Sequence, residues 1–241
     1  MCAGAGSHGL RGAAATCRAI HFAGKASGMS RILVINPNSS PSCTDTIRAS
    51  VQPQAMAHGP RLEVTGLPEG PPAIATWQDW HAVAEPLCRL VEAEPAEAYV
   101  IACVSDPAID LLRSVTPRPV LGALRSGIAA AVARGECFGI IAFVEASVQR
   151  QRRVLQAMGL EARCVASLPL NLPMEILTGT EGPRPRLLEL GQALKARGAD
   201  SVILGCAGMA GHRRFLEDAL GLPVIEPCQA AVAQALLATL A

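Results

Sequence analysis

Ala98-Tyr99-Val100-Ile101-Ala102-Cys103 returns 103 residues later as Ser201-Val202-Ile203-Leu204-Gly205-Cys206, and in both places an apolar run stops at a cysteine. Other landmarks recur at nearly the same interval. Pro119-Val120 is answered by Pro223-Val224, residues 32–35 by 138–141, and Leu67-Pro68 by Leu168-Pro169. The chain therefore reads as two similar halves. Strands are predicted at 32–36, 62–67, 98–102, 120–122, 138–143, 162–166, 201–205 and 224–225. Several lack apolar/polar alternation, as strands covered on both faces do. Between them, helical character spans 42–54, 77–92, 107–115, 125–134, 146–159, 184–197, 209–220 and 229–240. Gly159, Gly198 and Gly221 stand where helices stop, and Pro86 should kink or split the second helix. Strand–helix alternation implies parallel sheets with crossover helices. The expected fold class is α/β: two pseudo-symmetric α/β/α lobes with mainly parallel sheets, one formed by 29–122 plus 226–241 and the other by 123–225. Functional loops are expected at the carboxyl ends of the strands, between the lobes.

Composition narrows the class further. The chain has 241 residues, half of them hydrophobic, enough for one large core or two small ones. A net charge of +1 without blocks of like charge argues against nucleic acid or an anionic membrane as partner. Aromatics at 3% offer no stacking platform for bases. No apolar run approaches the ~20 residues needed to span a bilayer, so a soluble protein is expected. The nine cysteines are odd in number and scattered, with no CxxC pair and no His/Cys cluster at zinc spacing. They read as thiols in a reducing cytoplasm rather than a disulfide scaffold or a metal site. Residues 1–28 contain no acid, three basic residues and no apolar period. They read as an over-extended start before Met29, dispensable to the fold, or as a transit peptide. Gly4, Gly6 and Gly9 have GxGxxG spacing there, but no strand precedes them, and the match is attributed to chance.

Cys103 and Cys206 each lie at a predicted strand end, directly before a helical segment. Free N–H groups and the positive end of a helix dipole would stabilise a thiolate there and lower its pKa toward neutrality. A lone cysteine in this setting reads as a buried structural residue. Matching position and context favour a functional pair. If the halves face each other, the two thiols approach one cleft from opposite sides, so that one can take a proton from a carbon while the other returns one. The Asn36-Pro37-Asn38-Ser39-Ser40 segment closes the first strand. It reads either as a capped turn or as polar lining of the cleft, and its many polar side chains favour the second. Val104, Ser105, Ala207 and Gly208 flank the thiols and are candidate substrate contacts. Asp106 is either the N-cap of the helix begun by Pro107 or an acid beside Cys103, and the cap is the favoured reading.

NPNSS after the first strand, IACVSDPA around Cys103, PVLG, and LGCAGMAG followed by LPVIEP resemble the hydantoin racemase branch of the aspartate/glutamate racemase superfamily. The likeness covers about residues 31–241, and LGCAGM is its most specific element. The resemblance implies a cofactor-independent two-base racemase, metal-free and homo-oligomeric, with its catalytic cysteines at Cys103 and Cys206 and a hydantoin or allantoin-like substrate. Relatives of the same fold isomerise or decarboxylate small acids, and a non-catalytic metabolite-binding protein would keep the cleft but tolerate loss of the thiols. This chain departs from the hydantoin racemase pattern at Leu124-Arg125-Ser126, Ala142-Phe143 and Glu226-Pro227. Arg125 is thus either a ligand-binding residue selecting an acidic substituent or a solvated helix residue. His81 and His212 are expected on solvated helix faces, as are Arg150, Arg152 and Arg153. Trp77 and Trp80 are expected in a core or subunit contact.

Overall fold

The computed structural model describes residues 30–240; the expectations for residues 1–28 and Met29 lie outside the described residues. Two four-stranded sheets are present, every pairing in them parallel. The strands are β1 (Arg31–Asn36), β2 (Arg61–Gly66), β3 (Ala98–Ile101), β4 (Val120–Gly122), β5 (Phe138–Ala142), β6 (Cys164–Pro169), β7 (Ser201–Gly205) and β8 (Val224–Ile225). One sheet runs β2-β1-β3-β4 and the other β6-β5-β7-β8, so the two halves share one strand order. Ile35 lies opposite Ile101, and Ile141 opposite Leu204, which puts the ends of β3 and β7 at equivalent places. No helix among the described residues is long and apolar enough to cross a membrane.

The helices are α1 (Pro41–Val51), α2 (Trp77–Ala82), α3 (Ala84–Ala93), α4 (Ile109–Val115), α5 (Ala123–Val132), α6 (Glu145–Ala157), α7 (Met174–Leu177), α8 (Arg184–Ala196), α9 (Arg213–Leu220) and α10 (Pro227–Leu240). The expected split near Pro86 falls at Val83. Pro86 then occupies the first turn of α3, where its missing N–H costs nothing. Gly159, Gly198 and Gly221 all have positive φ, the left-handed geometry that ends a helix. Several boundaries differ from expectation, and at three of them a local turn intervenes. The helix expected at 107–115 starts at Ile109, because Asp106 and Ala108 adopt left-handed φ of 48° and 61°. The helix expected from Met209 is a 3₁₀ turn, Ala207–His212, before α9. The strand expected at 162–166 begins at Cys164, after a 3₁₀ turn over Glu161–Arg163.

Successive residues of each central strand serve different cores. Ile32 and Val34 face a layer shared by both sheets, where α1, α5, α6 and α10 pack against Ile140 and Ile203. Leu33 and Ile35 face α3 and α4 through Leu87, Val91, Ile109 and Leu112. On the far side of the second sheet, Val202 and Leu204 pack on Leu187, Leu194, Leu216 and Leu220 of α8 and α9. Helix α10 returns to the first sheet and lies against β1, β3, β4, α1 and α5. Gly205 closes β7 tightly enough that a β-carbon there would fall on the backbone carbonyl of Ile141. Gly205→Ala is therefore expected to lower stability by about 1–3 kcal/mol, read as a reduced denaturant midpoint at unchanged m. An unchanged midpoint would refute the close approach.

Candidate active site

The chain leaves β3 through Ala102 to Cys103 and leaves β7 directly into Cys206. Both cysteines line one small cavity with Asn38, Val104, Ser105 and Ala207. Cys43, Ile74, Phe143, Ser147 and Met174 complete much of the wall, and no lining side chain is a carboxylate or a cation. The cavity holds about 30 Å³, room for one or two waters and too little for a five-membered ring. Admitting such a ring requires the wall to move. Half-buried Met174, on the four-residue helix α7, is an unbranched side chain suited to swinging aside.

The polar segment after β1 divides its work. Asn36 is fully buried and donates to Asn38 Oδ1 at 2.8 Å and Thr44 Oγ1 at 2.9 Å, so its amide is spent on holding the turn. Ser40 accepts from Cys43 N at 3.3 Å as the N-cap of α1, while Ser39 N bonds Pro71 O. Only Asn38 of this segment reaches the cavity, with Nδ2 3.7 Å from Cys43 Sγ. Asn36, Ser39, Ser40 and Gly208 are not part of the lining. Arg125 also lies outside it: its guanidinium pairs with Asp106 Oδ2 at 3.1 Å. Asp106 does cap a helix, but not the one expected. It accepts from Leu124 N at 2.8 Å and Arg125 N at 3.0 Å at the start of α5, because the left-handed turn after Cys103 carries it away from α4.

The thiols are not lowered as expected. Burial pushes Cys103 above the ordinary thiol value, and the Ser105 hydroxyl, 3.4 Å from its sulfur, together with the Arg150 charge pulls it part of the way back. Burial and then the neighbouring Cys43 push Cys206 well above that value, with only a Gly208 N–H opposing. Cys43 itself is pushed up to about 11 by burial. The helix dipoles invoked from sequence are missing, since Cys103 precedes an irregular turn and Cys206 a 3₁₀ turn. The site is consequently asymmetric, with the thiolate more easily held on Cys103.

Sequence reasoning missed Cys43, Ser147 and Arg150. Arg150 is 2% exposed, not on a solvated face. It donates to Ile74 O at 3.0 Å and Ser147 Oγ at 3.0 Å, which binds it to the cavity wall. The signal was present: Ser147, Arg150, Gln151 and Val154 are the buried face of α6 at helical spacing, hidden by the adjacent charges of Arg152 and Arg153. His212 is likewise buried, with Nε2 3.2 Å from Leu177 O, and burial lowers its pKa. Cys43 follows from the Ser40 cap, which turns the third residue of α1 inward.

Comparison with known proteins places these features in context. Residues 32–235 match the family model described as Asp/Glu/Hydantoin racemase. A hydantoin racemase of Paenarthrobacter aurescens is 34% identical over 220 residues, covering 86% of this chain and 91% of that protein. One from Rhizobium meliloti is 32% identical over 214 residues, covering 86% and 88%. Among solved structures, an allantoin racemase from Klebsiella pneumoniae superposes with a TM-score of 0.79 at 29% identity, over 86% of each chain.

Proposed function

This chain belongs to the Asp/Glu/hydantoin racemase family, and from that premise we propose that it racemises a 5-substituted hydantoin or an allantoin-like ring by a two-thiol, cofactor-independent mechanism. The observation that carries the reading is the arrival of Cys103 and Cys206, from equivalent strands of two like sheets, at one cavity. The Cys103 thiolate removes the proton from C5 while the Cys206 thiol delivers one to the opposite face; the enantiomer reverses the roles. Charge that develops on the ring oxygen is met by Asn38 Nδ2 and by backbone N–H groups following the cysteines. Because the lining carries no cation or carboxylate, the fit is to a neutral ring with an uncharged substituent, and Arg125 selects no acidic group. We also propose a cytoplasmic homo-oligomer, on the reducing environment its thiols need and on what the family resemblance implies.

The test is a racemisation screen by circular dichroism in deuterated water over neutral and acidic hydantoins, allantoin and acidic amino acids. Loss of optical activity with one solvent deuteron gained at C5 is expected for neutral hydantoins or allantoin. Turnover of acidic amino acids alone, or release of carbon dioxide without racemisation, would overturn the assignment.

The raised thiols fix the expected pH dependence. The base must be a thiolate, so the rate rises as pH climbs through the Cys103 value. The acid must keep its proton, so the rate falls once Cys206, held higher, ionises. Burial raises both, which puts the acid limb of kcat/KM above the ordinary thiol value of about 8.5. The two limbs belong to the coupled pair rather than to either residue alone. An acid limb near or below pH 7 would contradict this.

A further inference from the structure

A second cavity, of about 400 Å³, lies beside the first and is built from different chemistry. Both tryptophans of the chain, Trp77 and Trp80, line it together with the guanidinium-bearing residues Arg125, Arg150 and Arg153. The two indoles meet edge to face with centroids 5.9 Å apart, and Arg153 stacks over Trp77 at 5.1 Å. The carboxylates on the wall are Asp106, committed to Arg125 and the start of α5, and Asp110, which is exposed. Arg150 and Arg153 have no carboxylate within ion-pair distance among the described residues. Arg150 is buried yet leaves its Nε without a hydrogen-bond partner. An interior guanidinium with an unmet donor, offset only by the more distant charge of Asp79, beside a stacking face and a second guanidinium without an ion-pair partner, is the chemistry of a planar carboxylate site. The volume falls in the range of small-molecule pockets.

Two links join this cavity to the thiols. Trp80 Nε1 donates to Ser105 O at 3.0 Å, and the Ser105 hydroxyl touches Cys103. Arg150 holds Ser147 and Ile74, which line the thiol cavity.

We propose that the cavity walled by Trp77, Trp80, Arg150 and Arg153 binds a small planar carboxylate, and that its occupancy draws the Arg150 charge away from Cys103 and so slows racemisation. The inhibitory half rests on the function proposed above; the binding half does not.

Because both tryptophans sit at the site, intrinsic fluorescence of the full chain reports occupancy without any turnover. Titration with benzoate is expected to give a saturable change with Kd of roughly 1 mM, the strength that so few contact atoms allow, while neutral benzamide gives none in that range. Arg153→Gln should weaken benzoate about 3-fold, and Arg150→Gln about 10-fold or more; the exposed Arg153 change keeps the test valid if the Arg150 variant fails to fold. In the racemisation assay benzoate should lower kcat and leave KM unchanged. The proposal is overturned by a non-saturable signal, by equal binding of benzamide, by Arg153→Gln binding as the parent does, by a signal that follows protein concentration instead of benzoate, or by purely competitive inhibition. Benzoate binding to a protein that proves to racemise nothing would leave the site standing and remove only the proposed reaction.

Discussion

Replacing Cys103 or Cys206 by serine is expected to cut racemisation by a factor of ~10² or more, the contribution usual for one positioned acid or base. Serine keeps the shape, but its hydroxyl ionises far above the pH at which a thiol does. A Cys103→Ser enzyme has therefore lost the proton acceptor for one enantiomer and the donor for the other. The two single variants should differ in kind, because the site is asymmetric: only Cys103 has both the Ser105 hydroxyl and the Arg150 charge to hold a thiolate. The Cys206→Ser protein is expected to exchange the C5 proton of one enantiomer with deuterated solvent while failing to invert it, and Cys103→Ser to do so poorly. Near-normal turnover in the double variant would end the two-thiol mechanism while leaving the racemase assignment in place.

The second large effect is on stability. Asp106→Ala is expected to destabilise the protein by about 3–5 kcal/mol, the range for breaking one side of a buried ion pair. The carboxylate is fully buried and accepts from two backbone N–H groups of α5 as well as from the Arg125 guanidinium. Removing it leaves two backbone donors of α5 without an acceptor and unpairs the part-exposed Arg125 guanidinium. At ~2–4 °C per kcal/mol for a chain of this size, the melting temperature should fall by roughly 6 to 20 °C. Gly122 explains why no longer residue can substitute for this arrangement, since a β-carbon there would collide with the Asp106 carboxylate. A fall of less than 2 °C would show that the pairing contributes little.

The strands, and with them the thiols, were legible because sheets buried on both faces leave short apolar runs, which their length and flanking turn residues separate from buried helix segments. Asn38, Val104, Ser105 and Ala207 followed, as neighbours of strand ends. What stayed hidden depended on contacts between segments far apart in sequence. The cap that Asp106 places on α5 spans 18 residues and needs a left-handed non-glycine turn that carries no sequence signature. Arg150 was concealed by its charge, because a charged residue is read as solvated unless its helical phase is checked against the buried face. The thiol shifts were misjudged because a dipole was inferred from helices that prove to start later, whereas burial turned out to be the larger influence.

Helix α10 gives the fold a chronology. It covers Ile32, Val34 and Val100 of the first sheet with Cys228, Ala231, Val232 and Ala235, yet a ribosome makes it about 100 residues after β4. At roughly 5–20 residues per second, the four strands of that sheet wait on the order of 5–20 s for their cover. During that interval one apolar face of the nascent sheet is covered only in part, by α1 and α5, and is open to wrong partners. Newly made chains should therefore lean on holding chaperones until the last helix docks, and slowing translation between residues 123 and 226 should lower the yield of active protein more than slowing it earlier.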